Sequence, residues 1–435
     1  MPREAVEAAK VVILDGLAVT LAGSRETAAQ IVADYAREMG GNPVCSAIGH
    51  GFKTSPPMAA FVNGVACHVL DYEVMWHPAT HATSPTLPGI LALAESRKAT
   101  GREIVAALVT GFEVQGRIRV ASANMGLGGF HPPGLVGVMG SAAAGSVMLG
   151  LDTQQTRMAL GLPHQEPGRC RPNTGTMTKS THCGNAGRMG LEAALLAQKG
   201  FTANANVIEH ENGYAAVLFG DEFDLDAVTR DFGHPYRLVD PGVAIKKHPS
   251  QYGTHRGIDA ALDMQDRFGV DTNRISSVRI ETPVMRYVGR PFPETGLDGK
   301  FSFQYTVAAA LLDRRVGIET FTDEAVNRPE VLELLGKISV DMRPEIPANF
   351  EDMWVAVRVE TSDGQTFVSR CDRPRGIWGN PLTRDERLAK VRSCASRLLS
   401  GAATERYIDI VEDLENPDSD TVQELVGILG SGPSR

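Results

Sequence analysis

The spacing of apolar residues in the first half of the chain predicts helices. Between Val6 and Leu21 apolar side chains recur at helical intervals, and Gly23 is a typical helix end. Later segments such as GLVGVMGSAAAGSVMLG are rich in small residues, which favours close packing between helices over strand formation. The pattern predicts helices over residues 3–22, 58–70, 85–97, 102–118, 135–149, 153–160 and 184–198.

The pattern changes after Pro241, where alternation of apolar and polar residues becomes common. Asp363-Gly364 separates two alternating runs, which is a strong signal for a β-hairpin. Strands are predicted at 278–280, 338–342, 354–360 and 366–370, and helices at 254–268, 307–313, 384–400 and 403–415. We therefore expect a mainly α protein. Its nearly all-helical domain is formed by residues 1–241 and 381–435, and an α+β domain spans 242–380.

Composition and charge narrow the classes of function. The chain has 435 residues and a formal net charge of −9, which disfavours nucleic acid or an anionic membrane as the main partner. A small anionic substrate remains compatible, because a local cationic pocket can lie within an acidic surface. The six cysteines form no C-x-x-C pair, so a structural zinc or iron–sulfur site is not expected. We expect the cysteines to be reduced thiols. We find no signal-peptide pattern and no long apolar run, and we expect a cytoplasmic protein.

The segment DYEVMWHPATHATS carries the strongest candidate chemistry. It places Asp71, Glu73, His77 and His81 within eleven residues. Pro78 makes a continuous helix improbable, so we expect a helix that ends near Asp71 and is followed by a polar loop. Carboxylates and imidazoles gathered on such a loop suit general acid–base chemistry near neutral pH. Surface histidines, or core histidines with satisfied hydrogen bonds, are the alternative interpretation.

Further short segments mix cationic, polar and glycine residues, and lysine and arginine suit the recognition of carboxylates. These segments are GGFHPPGLVG with His131, TGTMTKSTHCGNAG with Lys179 and His182 before a predicted helix, VAIKKHPSQYGTHRG with Lys246 and Gln251, and VMRYVGRPFPETG with Tyr287 and Arg290.

Together these motifs resemble the MmgE/PrpD superfamily, which includes 2-methylcitrate dehydratase, cis-aconitate decarboxylase and iminodisuccinate epimerase. The likeness runs from ILDGLAVTLAGS at 13–24 to WGNPLTRDE at 378–386. WHPATH, GFHPPGLVG, THCGNAG, RPFP and FSFQY are most similar to the cis-aconitate decarboxylase branch. The resemblance implies a helical domain with an inserted α+β lid, an active site in the cleft, a homodimer, and cofactor-free chemistry on a small di- or tricarboxylate.

The resemblance also implies roles for individual residues. His81 is expected to move the proton, with Asp71 orienting it or sharing its proton. The other expected catalytic residues are Lys179, Lys246 and Tyr287, and the expected substrate-binding residues are His131, His182, Gln251, Arg290 and Met75. Met75 stands where the decarboxylases have threonine, and Gln251 where they have histidine, so Gln251 can bind a carboxylate but cannot donate a proton near neutral pH. A helix usual in the family is expected to be missing before Pro2.

Each candidate has a structural alternative. These alternatives are a turn at His131, a helix cap at His182, an exposed pair at Lys246 and Lys247, a core aromatic at Tyr287, packing at Met75, a salt bridge at Arg290, and structural roles for His248 and His255. Three functions are considered: a decarboxylase, a related dehydratase or epimerase, and a non-catalytic carboxylate-binding paralogue.

Overall fold

The computed structural model describes residues 1–123, 129–165, 171–416 and 418–432. Contacts divide the chain into two compact units. The helical unit comprises Met1–Val243 and Thr383–Arg435, and the mixed unit comprises Ala244–Leu382. The role of the mixed unit as a lid stays a prediction.

The described residues are mainly helical. The helices are α1 Arg3–Gly23, α2 Thr27–Met39, α3 Pro56–Val69, α4 Thr83–Arg97, α5 Gly101–Ala121, α6 Pro132–Leu149, α7 Thr153–Gly161, α8 Thr178–Gln198, α9 Tyr214–Phe219, α10 Leu225–Thr229, α11 His255–Phe268, α12 Gly296–Gly299, α13 Phe303–Asp313, α14 Asp323–Val326, α15 Pro329–Leu335, α16 Arg384–Ala395, α17 Gly401–Glu412 and α18 Ser419–Gly430. The strands are β1 Cys45–Ala47, β2 Phe52–Thr54, β3 Ile275–Thr282, β4 Ile338–Met342, β5 Val355–Thr361 and β6 Thr366–Cys371.

The helical unit confirms the predicted helices and corrects their extent. The small antiparallel pair β1–β2 and the helices α2 and α18 were not predicted. Helix α8 begins at Thr178, before the predicted start at Gly184, because its first turns carry polar side chains that interrupt the apolar pattern. The C-terminal helices pack with the N-terminal one, since Lys390 of α16 forms a 2.6 Å ion pair with Asp15 of α1.

Two glycines let α3 and α8 approach very closely. A Cβ atom added to Gly64 of α3 would lie only 2.8 Å from the Cα of Gly184 of α8, so a larger residue would force the helices apart. His68 lies one turn after Gly64, and His182 lies just before Gly184. This close contact therefore brings polar residues from distant parts of the sequence to one place.

The loop between α3 and α4 is anchored by a buried tryptophan. Trp76 is 1% exposed and its ring centroid lies 5.2 Å from that of Phe112 on α5. The ring also covers Gly116, where an added Cβ atom would come within 2.6 Å of it. The backbone N–H of Trp76 donates to the carbonyl of Thr80 at 3.0 Å. The loop that carries the acid and histidine motif is thus part of the packed core.

Helix α6 corrects the expectation that the chain holds no apolar stretch of membrane-spanning length. By length and composition alone this helix could cross a membrane. However, 89% of it is buried within the fold, which is typical of a core helix in a soluble protein.

The mixed unit is built on a four-stranded sheet with strand order β4-β3-β5-β6. Strands β3 and β4 are parallel, whereas the β3–β5 and β5–β6 pairs are antiparallel. The predicted hairpin is confirmed: β5 and β6 pair through a turn in which Gly364 has a φ of +82°, a left-handed conformation that suits glycine. All four predicted strands are present.

Candidate active site

A buried carboxylate, Asp71, lies between an ammonium and an imidazole in the helical unit. Asp71 follows α3 with a φ of +50°, an uncommon conformation for a residue other than glycine. Lys179 Nζ lies 2.5 Å from Asp71 Oδ2, and His81 Nε2 lies 3.7 Å from Asp71 Oδ1. All three side chains are at most 10% exposed. Residues 108 positions apart therefore form one charged group inside the protein.

A second carboxylate, Glu73, is held from three directions. It accepts hydrogen bonds from the Ser84 backbone N–H at 2.7 Å, the Ser84 hydroxyl at 2.5 Å and His68 Nδ1–H at 2.6 Å. Its side chain is fully buried, and Ser84 belongs to the first turn of α4, where the helix dipole favours a negative charge. His81 Nδ1 lies 3.6 Å from Glu73 Oε1. The His81 ring thus has one carboxylate near each nitrogen.

Four histidines gather beside these carboxylates. The ring centroids of His68 and His81 are 4.7 Å apart, and those of His68 and His131 are 5.6 Å apart. His131 Nδ1 lies 3.3 Å from His182 Nδ1. Burial, together with the nearby Lys179 ammonium, holds the pKa of His131 well below its ordinary range, so this ring is neutral at neutral pH.

Three of these histidines could also hold a metal ion. His68, His81 and His131 each offer a nitrogen, and these atoms lie within 4.8 Å of one another. His68, Glu73 and Cys183 form a second group with the same spacing. Cys67, which precedes His68 in the chain, has a different state: burial raises the pKa of its thiol far above the ordinary value, so Cys67 is not a thiolate nucleophile at neutral pH.

The structure adds two residues that sequence reasoning had given no role. Glu73 belongs to the motif but had no assigned function, and His68 was overlooked. A histidine in the otherwise apolar helix segment NGVACHV was the available signal. Its meaning depends on the Glu73–Ser84 contacts, which only the fold reveals.

The structure decides the alternative for His182 in the helical unit, whereas the roles of Met75 and His131 stay predictions. His182 does not cap a following helix, because α8 begins at Thr178 and His182 lies within it. Met75 is 6% exposed, in keeping with a packing role. His131 precedes the two prolines that open α6, but its side chain makes no capping hydrogen bond.

The remaining predicted residues lie in the mixed unit. Lys246 is fully buried and its ammonium donates to the Ser250 carbonyl at 3.1 Å, so the exposed-pair alternative is wrong for this residue. Tyr287 is 40% exposed, which rules out the core alternative. Its hydroxyl accepts a 3.1 Å hydrogen bond from Gln251 Nε2, while Gln251 Oε1 accepts from the Gly253 N–H at 2.6 Å.

Arg290 forms a salt bridge within the mixed unit. Its guanidinium pairs with Asp298 and lies 5.3 Å from the centre of the Phe301 ring. This pairing supports the salt-bridge alternative, and the binding of a substrate carboxylate stays a prediction. His248 Nε2 lies 2.9 Å from Asp259 Oδ1, in keeping with a structural role.

Comparison with known proteins places the chain in a family. The model of the MmgE/PrpD N-terminal domain matches residues 1–226, and that of the MmgE/PrpD C-terminal domain matches residues 248–416. The chain belongs to the MmgE/PrpD family. It is therefore an enzyme of this superfamily, and the following relatives are lyases by name.

The chain is 35% identical to human cis-aconitate decarboxylase over 441 residues, covering 99% of this chain and 91% of the relative. The chain is 34% identical to the mouse cis-aconitate decarboxylase, covering 99% of this chain and 90% of the relative. A mitochondrial 2-methylcitrate dehydratase from Yarrowia lipolytica is 26% identical over 310 residues, covering 65% of this chain and 58% of the relative.

Proposed function

We propose that this MmgE/PrpD enzyme is a cofactor-independent lyase of small di- or tricarboxylates, most like cis-aconitate decarboxylase. The observation that carries the proposal is the position of His81, with one carboxylate within 4 Å of each ring nitrogen and Lys179 beside Asp71. The names of the full-length relatives support the substrate class.

The charges of the cluster favour a protonated His81. Asp71 and Glu73 contribute two negative charges and Lys179 one positive charge, so the three together carry −1. One proton on an imidazole of the cluster balances this charge inside the protein, where an unbalanced charge is costly, and we assign it to His81 because each of its nitrogens lies near a carboxylate. His81 can therefore enter the reaction as an acid.

The reaction we propose balances with one proton from the protein. The bond between the departing carboxylate and its methylene carbon breaks, CO2 leaves, and the released electron pair forms the new double bond. The former double bond supplies the pair that takes a proton from His81, giving itaconate. A cation next to a remaining carboxylate stabilises the charge that develops there, and Lys179 is our candidate. Lys246 and Tyr287 remain candidates by resemblance.

A related dehydratase or epimerase is the second candidate. Two points favour it: the resemblance implies that Met75 and Gln251 replace a threonine and a histidine of the decarboxylases, and a dehydratase is among the matched relatives. In that reaction the histidine cluster would remove a proton from the carbon next to a carboxylate, and the Lys179 ammonium would stabilise the same developing charge.

The test is direct product analysis. Purified enzyme is mixed with cis-aconitate and followed by proton NMR, and we expect itaconate to appear. Absence of itaconate at high enzyme concentration would remove the decarboxylase assignment. Other unsaturated and hydroxy acids are then screened for turnover and for thermal stabilisation. Stabilisation without turnover of any acid would identify a non-catalytic carboxylate-binding protein.

A further inference from the structure

The proposed reaction assigns proton transfer to only one of three buried histidines whose nitrogens lie close together. His68, His81 and His131 are 2%, 5% and 7% exposed, and one nitrogen from each lies within 4.8 Å of the other two. In a tetrahedral zinc site the Zn–N bonds are about 2.0–2.1 Å long, which puts ligand nitrogens roughly 3.3 Å apart. Because His68 is held by Glu73, metal binding requires the rings of His81 and His131 to turn toward it.

The surroundings of His68 match those of a metal-binding histidine. Its Nδ1–H donates to Glu73 at 2.6 Å, and Glu73 is fixed in turn by the N–H and the hydroxyl of Ser84. Metal-ligating histidines usually donate their second N–H to a carboxylate, which fixes the ring and makes the other nitrogen a better ligand. The orientation of His68 is thus already set.

The local charge also suits a divalent cation. A metal that binds His81 displaces the proton assigned to this ring above, and Asp71, Glu73 and Lys179 then carry −1 against the two positive charges of the dication. Lys179 opposes the cation, but its ammonium is paired with Asp71 at 2.5 Å. Imidazole donors select zinc-like metals, whereas Mg²⁺ and Ca²⁺ prefer oxygen donors.

We propose that His68, His81 and His131 form an inhibitory site for a transition-metal dication such as Zn²⁺. A metal bound to the His81 nitrogen leaves this ring unable to deliver a proton, so bound zinc stops turnover. The inhibitory effect rests on the proposed function, whereas metal binding does not.

The binding experiment uses the full chain treated with EDTA and dialysed. Co²⁺ is titrated and followed by its visible absorption, and Zn²⁺ is then added to displace it. We expect one metal per chain and no competition from Mg²⁺. The variant Glu73→Gln should bind about 10–100-fold more weakly, the usual effect of losing a carboxylate that orients a ligand. His131→Asn should bind more weakly still, and His210→Asn, at an exposed histidine outside the cluster, should bind like the unaltered protein.

Circular dichroism checks that the variants fold, and X-ray absorption of the zinc-loaded unaltered protein provides a readout that needs no variant. Three imidazole ligands are expected. The site would be overturned if the protein fails to bind Co²⁺ or Zn²⁺, or if fewer than two imidazole ligands are found. It would also be overturned if Glu73→Gln and His131→Asn bind the metal with the same affinity as the unaltered protein. If zinc binds there and turnover continues unchanged, the inhibitory role is wrong. If no acid is turned over, the proposed function fails while the titration still decides the metal site.

Discussion

The helical unit and the mixed unit hold their candidate residues in different ways. In the helical unit Asp71, Glu73 and His81 are buried, and the carboxylates are fixed by a lysine, a serine and a second histidine. In the mixed unit Tyr287 is 40% exposed and Gln251 is its hydrogen-bond partner. The helical unit thus holds its charged candidates inside the fold, whereas the mixed unit combines the buried Lys246 with an exposed pair of polar side chains.

The largest effect is expected from His81→Gln, which keeps a polar side chain but removes the titratable ring. Loss of a positioned acid typically lowers the rate by about 10²–10⁴-fold, and we expect a fall of that size in kcat. Initial rates on the identified substrate provide the measurement, with His210→Gln as the exposed control. Full activity in His81→Gln would refute the role of this ring.

Lys179→Met should cause the largest loss of stability. Removing the ammonium breaks a buried ion pair and leaves the cluster with an excess negative charge, which typically costs about 3–5 kcal/mol in the free energy of unfolding. Arg392→Ala breaks an exposed pair with Glu405 and should cost only about 0–1 kcal/mol. Urea unfolding measures both variants. The double variant Lys179→Met with Asp71→Asn should recover part of the loss. Equal losses of stability in Lys179→Met and Arg392→Ala would contradict this account.

The combined substitution Met75→Thr with Gln251→His restores the decarboxylase-like residues. A titratable ring at position 251 adds a possible acid, so we expect itaconate formation to rise by about tenfold or more. Gln251→Asn, which keeps an amide, is the matched control and should show no gain. If the double variant and the control behave alike, these two positions do not determine the reaction.

The two units should also differ in their response to acid. Burial lowers the pKa of His50 in the helical unit to about 4, below its ordinary 6.5. As the pH falls, His50 takes up a proton in the unfolded chain before it does so in the folded protein. The free energy of unfolding is therefore unaffected by His50 above pH 6.5 and falls between pH 6.5 and 4, by at most about 1.4 kcal/mol per pH unit. In the mixed unit burial raises the pKa of Asp259, but the hydrogen bonds from His248 and the Arg375 N–H, together with nearby positive charge, outweigh it and lower this pKa. The contribution of Asp259 to stability is therefore lost only as the pH falls below 3.8. Unfolding of His50→Asn at several pH values should show a flatter acid slope, and an unchanged slope would exclude His50.

The smallest effect is expected from Tyr287→Phe. It removes the hydroxyl that accepts from Gln251, and because the side chain is exposed the free energy of unfolding should change by less than about 0.5 kcal/mol. If Tyr287 selects the substrate, KM should rise while kcat changes little. A large fall in kcat with an unchanged KM would move Tyr287 from selection to chemistry.

Periodicity predicted most of the fold and missed elements whose residues lack a long apolar pattern. The strand Ile338–Met342 was predicted with its observed bounds, since alternation is clear there. The first turns of α8 were missed because TKSTHC is polar, and β1 and β2 because three-residue strands leave almost no pattern.

The candidate site was predicted in part. His81, Asp71 and Lys179 were named from sequence, and the structure brings them together. The structure adds Glu73 to the predicted role of Asp71 beside His81. Asp71 lies closer to Lys179 than to His81, and Glu73 lies as near to His81 as Asp71 does. The role of His68 depends on a contact between α3 and α4 that no local pattern encodes.

The central claim is that the buried cluster of the helical unit supplies the proton. Turnover of cis-aconitate in D2O, followed by NMR, tests it most directly. The account predicts itaconate with one deuteron on its saturated methylene carbon, and loss of this product in His81→Gln but not in the exposed control His210→Gln. Deuterium on the vinyl carbon, or unchanged labelled product from His81→Gln, would contradict it.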